Sequence, residues 1–285
     1  MINGTTRTCG LIGCPVEHTK SPMIHNTLAE CMGVDLCYVP FYVQQEGLEA
    51  AIKGAHALHL LGLNVTVPYK SEVIPFLKEI DPLAEQIGAG NTLVSVEGGY
   101  KGYNTDMPGL YRAMREDGVE IAEEKVLILG AGGVARAVAL LMAEKKAKEI
   151  ILINRTLEKA KQICQEVQGF YKDANIRALA LADYDTLPKE KYLAVQATSI
   201  GMYPNVDVAV IEEASFYERV HTGYDLVFNP AMTKFMQLTV SAGGKAFNGL
   251  KMLLYQGVIA YEYWTGKEVP AEVTMKVYEL LKENA

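Results

Sequence analysis

The sequence predicts a two-domain α/β protein, an N-terminal α/β domain followed by a doubly wound parallel-sheet domain, and three observations carry that reading. The length of 285 residues is about twice the roughly 150 residues of an average domain. From the N-terminus to about Ile80, short apolar runs alternate with amphipathic stretches, the rhythm of β-α-β-α-β-α. A new apolar run, Lys125–Leu129, then breaks directly into a glycine-rich turn and a long helix of Ala, Val and Leu, and the alternation restarts.

Taken in order, residues 8–13, 37–43 and 61–67 read as strands, and 23–32, 48–57 and 72–80 as the helices between them. Residues 91–96 and 100–103, separated by Glu97-Gly98-Gly99, read as a hairpin that closes the first domain. A polar amphipathic helix over 108–117 crosses to Lys125–Leu129. Further strands follow at 150–153, 178–182, 193–196 and 223–228, with a helix over 157–167 between the first two.

Composition narrows the function classes. Hydrophobic residues make up 49% and charged residues 21%, ordinary globular usage that argues against disorder or a fibrous chain. A net charge of −7 does not suit a protein that lives on nucleic-acid phosphates or an anionic membrane. Any anion it binds therefore needs a local basic pocket. The five cysteines form no Cys-x-x-Cys pair, so neither a zinc site nor a disulfide framework is expected, and no other metal site is read. A reducing compartment, the cytoplasm, fits this cysteine usage, with no export signal and no membrane span expected.

The turn after 125–129 reads Gly130-Ala131-Gly132-Gly133-Val134-Ala135, a Gly-x-Gly-x-x-Ala motif in strand–turn–helix context. Gly130 permits the tight turn, Gly132 lets backbone amides approach a pyrophosphate, and Ala135 lets helix and strand pack closely. This is the mark of a Rossmann-type dinucleotide domain. The next strand ends in Asn154-Arg155-Thr156, where a cofactor without a 2′-phosphate calls for Asp or Glu on the ribose hydroxyls. No acid stands there. Arg155 can clamp a phosphate and stack on adenine, and Asn154, Thr156 and Lys159 add donors, so NADP is expected rather than NAD.

Four polar clusters mark the first domain: Glu17-His18-Thr19-Lys20-Ser21-Pro22 with His25-Asn26, Asn64-Val-Thr66-Val-Pro68-Tyr69-Lys70, Asn91-Thr92 and Asn104-Thr105-Asp106. Singly each has an ordinary role, as helix cap, turn former or solvated lysine. Together, just after predicted strands, they are placed to converge on one crevice, because open α/β sheets bind ligands outside the carboxyl ends of their strands. Lys70 is the natural acid/base.

In this order, with Ala197-Thr198-Ser199-x-Gly201-Met202, Asp225-x-x-Phe228-Asn-Pro230-x-x-Thr233, Gly249-x-x-Met252 and Tyr255-Gln256-Gly257, the clusters resemble the shikimate dehydrogenase family over nearly the whole chain. The resemblance implies a substrate-binding domain over 1–105, completed by C-terminal helices over 249–285 around Tyr255 and Tyr278, and an NADP-binding domain over 106–248. It implies reversible NADP-linked interconversion of shikimate and 3-dehydroshikimate by a monomer or homodimer. Thr19 and Ser21 would hold the substrate carboxylate, and Asn64, Thr66, Asn91, Asp106 and Gln256 its hydroxyls. Lys70 would be catalytic, with Asp106 orienting its ammonium. Thr198, Ser199, Leu226, Gly249 and Met252 would join the glycine turn in holding NADP. Two positions depart from the family pattern. Thr19 stands where the family usually has Ser, and Phe228 where it usually has a Tyr that reaches the carboxylate. Both bear on substrate choice, so a quinate/shikimate dehydrogenase is the alternative enzyme. A non-catalytic NADP-binding regulator is the alternative from another class, against which the presence of both Lys70 and Asp106 argues.

Overall fold

Residues 2–284 are described by a computed structural model and form two units, residues 2–110 with Leu253–Asn284, and Tyr111–Met252. Both crossings fall inside continuous helices, which is why no change of composition marks them and why they lie a few residues beyond the boundaries read from sequence.

The first unit runs β1 (Arg7–Gly13), α1 (Ser21–Cys31), β2 (Leu36–Tyr42), α2 (Leu48–Ala57), β3 (Gly62–Val65), β4 (Glu79–Ile80), α3 (Pro82–Ile87), β5 (Thr92–Val96) and β6 (Gly99–Tyr103), then enters α4 (Asp106–Glu116). Its sheet has the order β2-β1-β3-β5-β6-β4. β1 is parallel to β2 and β3, whereas β5 is antiparallel to both β3 and β6. The core on one face gathers Ile12, Leu48, Ile52, Leu63, Val65, Tyr69, Val73, Leu93 and Tyr100.

One sequence expectation changes here, and one helix is added. Residues 72–80 do not form a helix; a short 3-10 turn over Ile74–Phe76 leads into β4. Pro75 lacks the N–H and crowds the preceding turn, so the apolar run cannot continue as α-helix. The helix α3 was not read at all, although its signals are local. Asp81 caps it by accepting from Leu83 N–H at 3.0 Å, Pro82 opens it, and Gly88 closes it with φ +72°.

The second unit continues with β7 (Lys125–Leu129), α5 (Gly133–Glu144), β8 (Glu149–Asn154), α6 (Leu157–Phe170), β9 (Ile176–Ala180), β10 (Tyr192–Gln196), α7 (Ala214–Tyr217), β11 (Val220–Asp225), α8 (Lys234–Ser241) and β12 (Lys245–Phe247). All six strands are parallel, in the order β12-β11-β10-β7-β8-β9. Counted within the unit this is 3-2-1-4-5-6, with the reversal between β7 and β10. β7 and β8 are apolar without alternation because both faces are covered; Val126 to Leu129 and Ile150 to Ile153 are all fully buried. The strand expected at 223–228 lies three residues earlier and stops at Asp225, so Phe228 sits in the following loop. β12, three residues long, escaped the sequence reading, as did α7 and α8.

The chain ends in α9 (Leu250–Thr265) and α10 (Ala271–Glu283). Trp264 of α9 is seated over β3, where Gly62 leaves room for it; a Cβ at Gly62 would overlap the indole and stand 2.5 Å from the Leu93 carbonyl oxygen. The indole N–H donates to that same carbonyl at 2.9 Å. Gly62→Ala should therefore push the indole out and cost about 1–3 kcal/mol. Gly54→Ala in α2, where a Cβ meets nothing within 4 Å, should instead gain up to about 1 kcal/mol. Urea unfolding of both variants checks this, and a neutral Gly62→Ala would contradict the packing described.

Candidate active site

The polar clusters of the first unit meet at one end of its sheet because of strand register. Ile12 pairs with Val65, Asn64 with Thr92, and Thr92 with Tyr103. The carboxyl ends of β1, β3 and β6 and the amino end of the antiparallel β5 therefore lie side by side. Thr66 to Lys70 leave β3 at this edge, Asn91 precedes β5, and Asn104 to Asp106 follow β6.

The centre of the cluster is an ion pair, with Lys70 Nζ 2.6 Å from Asp106 Oδ2. Both side chains are partly exposed, at 32% and 21%. The segment Ala89–Asn91 positions both partners. Gly90 N–H donates to the Lys70 carbonyl at 2.7 Å. Ala89 accepts from Asn104 Nδ2 at 3.0 Å, and Asn104 Oδ1 in turn accepts from the N–H of Asp106 at 3.1 Å. Asn91 Oδ1 accepts from the N–H of Thr105 at 2.8 Å and from the hydroxyls of Thr105 and Thr92. Behind Lys70, the buried Tyr69 donates its hydroxyl proton to the Val43 carbonyl at 2.7 Å. Asp106 opens α4, where a negative charge is favourable to the helix dipole.

Asn64 is the buried hub beside the pair. Its Oδ1 accepts from Tyr38 Oη at 2.7 Å and from His25 Nε2 at 3.1 Å; its Nδ2 donates to the Asn91 carbonyl at 3.2 Å and to Thr92 Oγ1 at 3.1 Å. Both its lone pairs and both its protons are spent. Since Asn64 Oδ1 can only accept, His25 carries its proton on Nε2. The imidazole stacks on Tyr38 with ring centres 4.3 Å apart and has Trp264 at 4.9 Å. Its Nδ1 has no partner. Burial drives the His25 pKa down to about 3, so the ring is neutral. Asn91 differs from Asn64: its oxygen is saturated, while its Nδ2 makes no bond to the described residues.

The other candidates of this unit are placed by their own local contacts. Thr19 Oγ1 accepts from Ser21 N–H at 3.2 Å, leaving the Thr19 hydroxyl proton to donate elsewhere; Ser21 opens α1. Thr66 packs its methyl over Gly13. Gln256, on α9, donates to the Leu253 carbonyl at 2.8 Å. It lies against α4 three residues from Asp106, because Gly109 has no side chain; a Cβ there would stand 2.7 Å from Gln256 N.

The candidate residues of the second unit gather at the carboxyl ends of β7, β8, β10 and β11, which register aligns: Leu129 with Ile153 and with Gln196, and Gln196 with Asp225. Gly130 adopts φ +120°, and a Cβ on it would crowd Thr198 and Ala197. Gly132 and Gly133 face open space, Val134 is exposed, and Ala135 is fully buried against the sheet. No side chain caps the N-terminus of α5, so its amides are free to meet an anion. Asn154 Nδ2 donates to the Thr156 carbonyl at 2.9 Å and shapes the strand-end turn, on which Arg155, Thr156 and Lys159 are exposed. This donor set fits a dinucleotide carrying an extra phosphate. Thr198 is tied to Gln196, Ser199 is exposed, Leu226 N–H donates to the Gln196 carbonyl at 3.0 Å, and Gly249 N–H donates to the Val227 carbonyl at 3.1 Å. Phe228 and Met252 are half-buried.

Comparison with known proteins matches these elements one after another. The shikimate dehydrogenase substrate-binding-domain family model covers residues 11–93, the shikimate/quinate 5-dehydrogenase model 113–214, and the shikimate 5′-dehydrogenase C-terminal-domain model 249–277. The chain belongs to the shikimate dehydrogenase family. A relative from Carboxydothermus hydrogenoformans, named shikimate dehydrogenase (NADP(+)), is 41% identical over 98% of this chain and 99% of its own. A crystal structure of a shikimate dehydrogenase in complex with NADP+ superposes with TM-score 0.89 at 38% identity, covering 98% of this chain and 96% of that one. The Listeria monocytogenes enzyme, crystallised with shikimate and NAD, gives 0.91 at 32% identity, covering 98% of each. Among the described residues no group of three His, Cys, Asp or Glu could hold a metal ion, and no helix is long and apolar enough to cross a membrane.

Asn104 was named from sequence only as part of a polar cluster, and its positioning role was not read, although an Asn two residues before an acid at a helix start is a legible signal. Gln196 was not singled out and carried no signal, being one polar residue at the end of an apolar strand. Two buried groups give opposed pH dependences. The unfolded chain protonates His25 near 6.5 while the folded one does not until about 3, so this contribution to stability is lost as pH falls below about 6.5, by up to about 1.4 kcal/mol per pH unit. Burial raises the Asp225 pKa from 3.8 to about 6. Its folded form holds a proton that the unfolded chain has released, so its contribution is lost as pH rises from about 3.8 to 6. His25→Phe, which keeps a ring on Tyr38, should reduce the stability lost between pH 7 and pH 5 by on the order of 2 kcal/mol. Urea unfolding at the two pH values reads it, and equal losses in parent and variant would contradict a neutral buried His25.

Proposed function

We propose that this chain is an NADP-dependent shikimate dehydrogenase, catalysing the reversible reduction of 3-dehydroshikimate to shikimate. The observation that carries the reading is the Lys70–Asp106 pair, held by Asn91 and Asn104 among the family's motif residues in a chain 41% identical to a named relative over its full length. The first unit is assigned the substrate and the second the cofactor.

When bound, NADPH supplies a hydride to the C3 carbonyl carbon. The carbonyl π pair moves onto oxygen as the hydride bonds to carbon, and the Lys70 ammonium gives that oxygen its proton. The site thus loses one proton, which Lys70 regains from solvent. In the oxidising direction neutral Lys70 takes the hydroxyl proton as hydride leaves C3. A donor aimed at developing alkoxide charge lowers the barrier in a way that ground-state binding cannot. Asp106 accepts from the ammonium, fixes its direction and binds the neighbouring hydroxyl.

The hydroxyls of Thr19 and Ser21 donate to the substrate carboxylate. Asn91 offers its unspent Nδ2 to a ring hydroxyl, and Thr66 and Gln256 serve others. Asn64, with every hydrogen bond already committed, shares one of its existing contacts with the ligand and chiefly holds Asn91 and Thr92 in place. Amides of Gly130 to Ala135 receive the pyrophosphate, and Arg155 with Asn154, Thr156 and Lys159 the 2′-phosphate. Thr198, Ser199, Leu226, Gly249 and Met252 hold the remainder of the cofactor. Phe228 provides a ring without a hydroxyl at the carboxylate end. We place the enzyme in the cytoplasm, as a monomer or homodimer, with no nucleic-acid or membrane partner.

Initial rates with shikimate or quinate against NADP or NAD test the assignment: shikimate with NADP should be the preferred pair. Preference for quinate would overturn the substrate, and comparable kcat/KM for NAD would overturn the cofactor reading. Lys70→Ala should lower kcat by about 10²–10⁴ with a much smaller change in KM. A rise in KM alone would mark Lys70 as a binding residue.

A further inference from the structure

We propose that Asp225, acting through Gln196, is a positioning residue for the cofactor site, holding residues 197–203 and 226–233 in the one arrangement that binds NADP. This rests on the cofactor assignment above and adds to it a residue that touches neither ligand.

The two side chains stand at paired positions on the last residues of β10 and β11, and register directs them to the same face. Asp225 is fully buried and Gln196 is 1% exposed. Asp225 Oδ1 accepts from Gln196 Nε2 at 3.1 Å and from Val227 N–H at 2.9 Å; Oδ2 accepts from Thr233 Oγ1 at 2.6 Å. Gln196 Nε2 also donates to the Ile200 carbonyl at 3.0 Å, and its Oε1 accepts from both the N–H and the hydroxyl of Thr198 at 2.6 Å. Thr198 Oγ1 then accepts from Ile200 N–H at 3.1 Å, and Thr233 Oγ1 caps α8 by accepting from Met236 N–H.

The direction of this network is set from both ends. The Asp225 carboxylate and the Ile200 carbonyl only accept, so Gln196 turns its amide nitrogen toward them, and Thr198 N–H only donates, so Gln196 turns its oxygen there. Asp225 is the member that ties this arrangement to Val227 and Thr233. One buried group thereby orders both loops that carry Thr198, Ser199 and Leu226. None of its partners is a cation; an apolar side chain would avoid the cost of burying a carboxylate but would leave the Gln196, Val227 and Thr233 donors without this acceptor. What the carboxylate adds is orientation, which lets a cofactor bind without reordering two loops.

The test measures the dissociation constant of NADPH by its fluorescence, and KM for NADP, in the full-length parent, Asp225→Ala and the isosteric Asp225→Asn, with thermal melting alongside. Asp225→Ala should raise both constants roughly tenfold, equivalent to about 1.4 kcal/mol, and Asp225→Asn, which keeps the acceptor for Gln196 and Val227, should fall between it and the parent. A merely structural role would lower the melting temperature and the active fraction while the folded molecules bind NADPH as the parent does. Constants within twofold of parental in both variants overturn the proposal, and if the alanine variant does not fold, the asparagine variant decides alone. A parent that binds NADPH without oxidising shikimate overturns the substrate reading only, and the comparison of dissociation constants still stands. A parent that does not bind NADPH overturns both.

Discussion

The chemistry assigned to the first unit depends on a lysine ammonium being held 2.6 Å from a carboxylate at a sheet edge where both remain open to a ligand. Neither partner is buried enough for the pair to be a source of stability, because exposed ion pairs contribute little. Its value is placement. Lys70 lies on the chain leaving β3 and Asp106 on the chain leaving β6, and the segment Ala89–Asn91 holds both through Gly90 N–H and the Asn104 and Asn91 carboxamides. A proton donor fixed before substrate arrives spends no binding energy on being oriented.

Close approaches made possible by glycine support this edge. Trp264 fills the space over Gly62, and the backbone at Gln256 lies on Gly109. Helix α9 thus reaches the site seated against β3 and α4. In the second unit the same device acts at Gly249, where a Cβ would overlap the Leu226 carbonyl oxygen, and at Gly130 beside Thr198. In each case the missing side chain brings a functional segment to a depth that alanine would prevent.

Much of this was legible in the sequence. Lys125–Leu129 and Leu48–Ala57 appear as read, and the glycine turn lies between strand and helix as its motif requires. Their signals are local, carried by a few adjacent residues. The stretch 72–80 misled because its apolar spacing suits a helix that Pro75 forbids, and β12 is too short for any periodicity to register. Lys70 and Asp106 could be named because their types carry acid/base chemistry. Gln196, Asp225 and Asn104 could not be ranked in that way. The importance of a polar side chain that serves another side chain is set by neighbours distant in sequence, such as Thr198 for Gln196 and Ala89 for Asn104.

The most direct test of a Lys70–Asp106 unit is a double-mutant cycle on kcat for shikimate oxidation, with Lys70→Ala, Asp106→Ala and the double variant. Groups that act as one device lose their function together. The double variant should therefore be within about threefold of the worse single variant, a gap of under about 1 kcal/mol. Losses that multiply would contradict the account, because they would mean that the lysine and the carboxylate contribute independently.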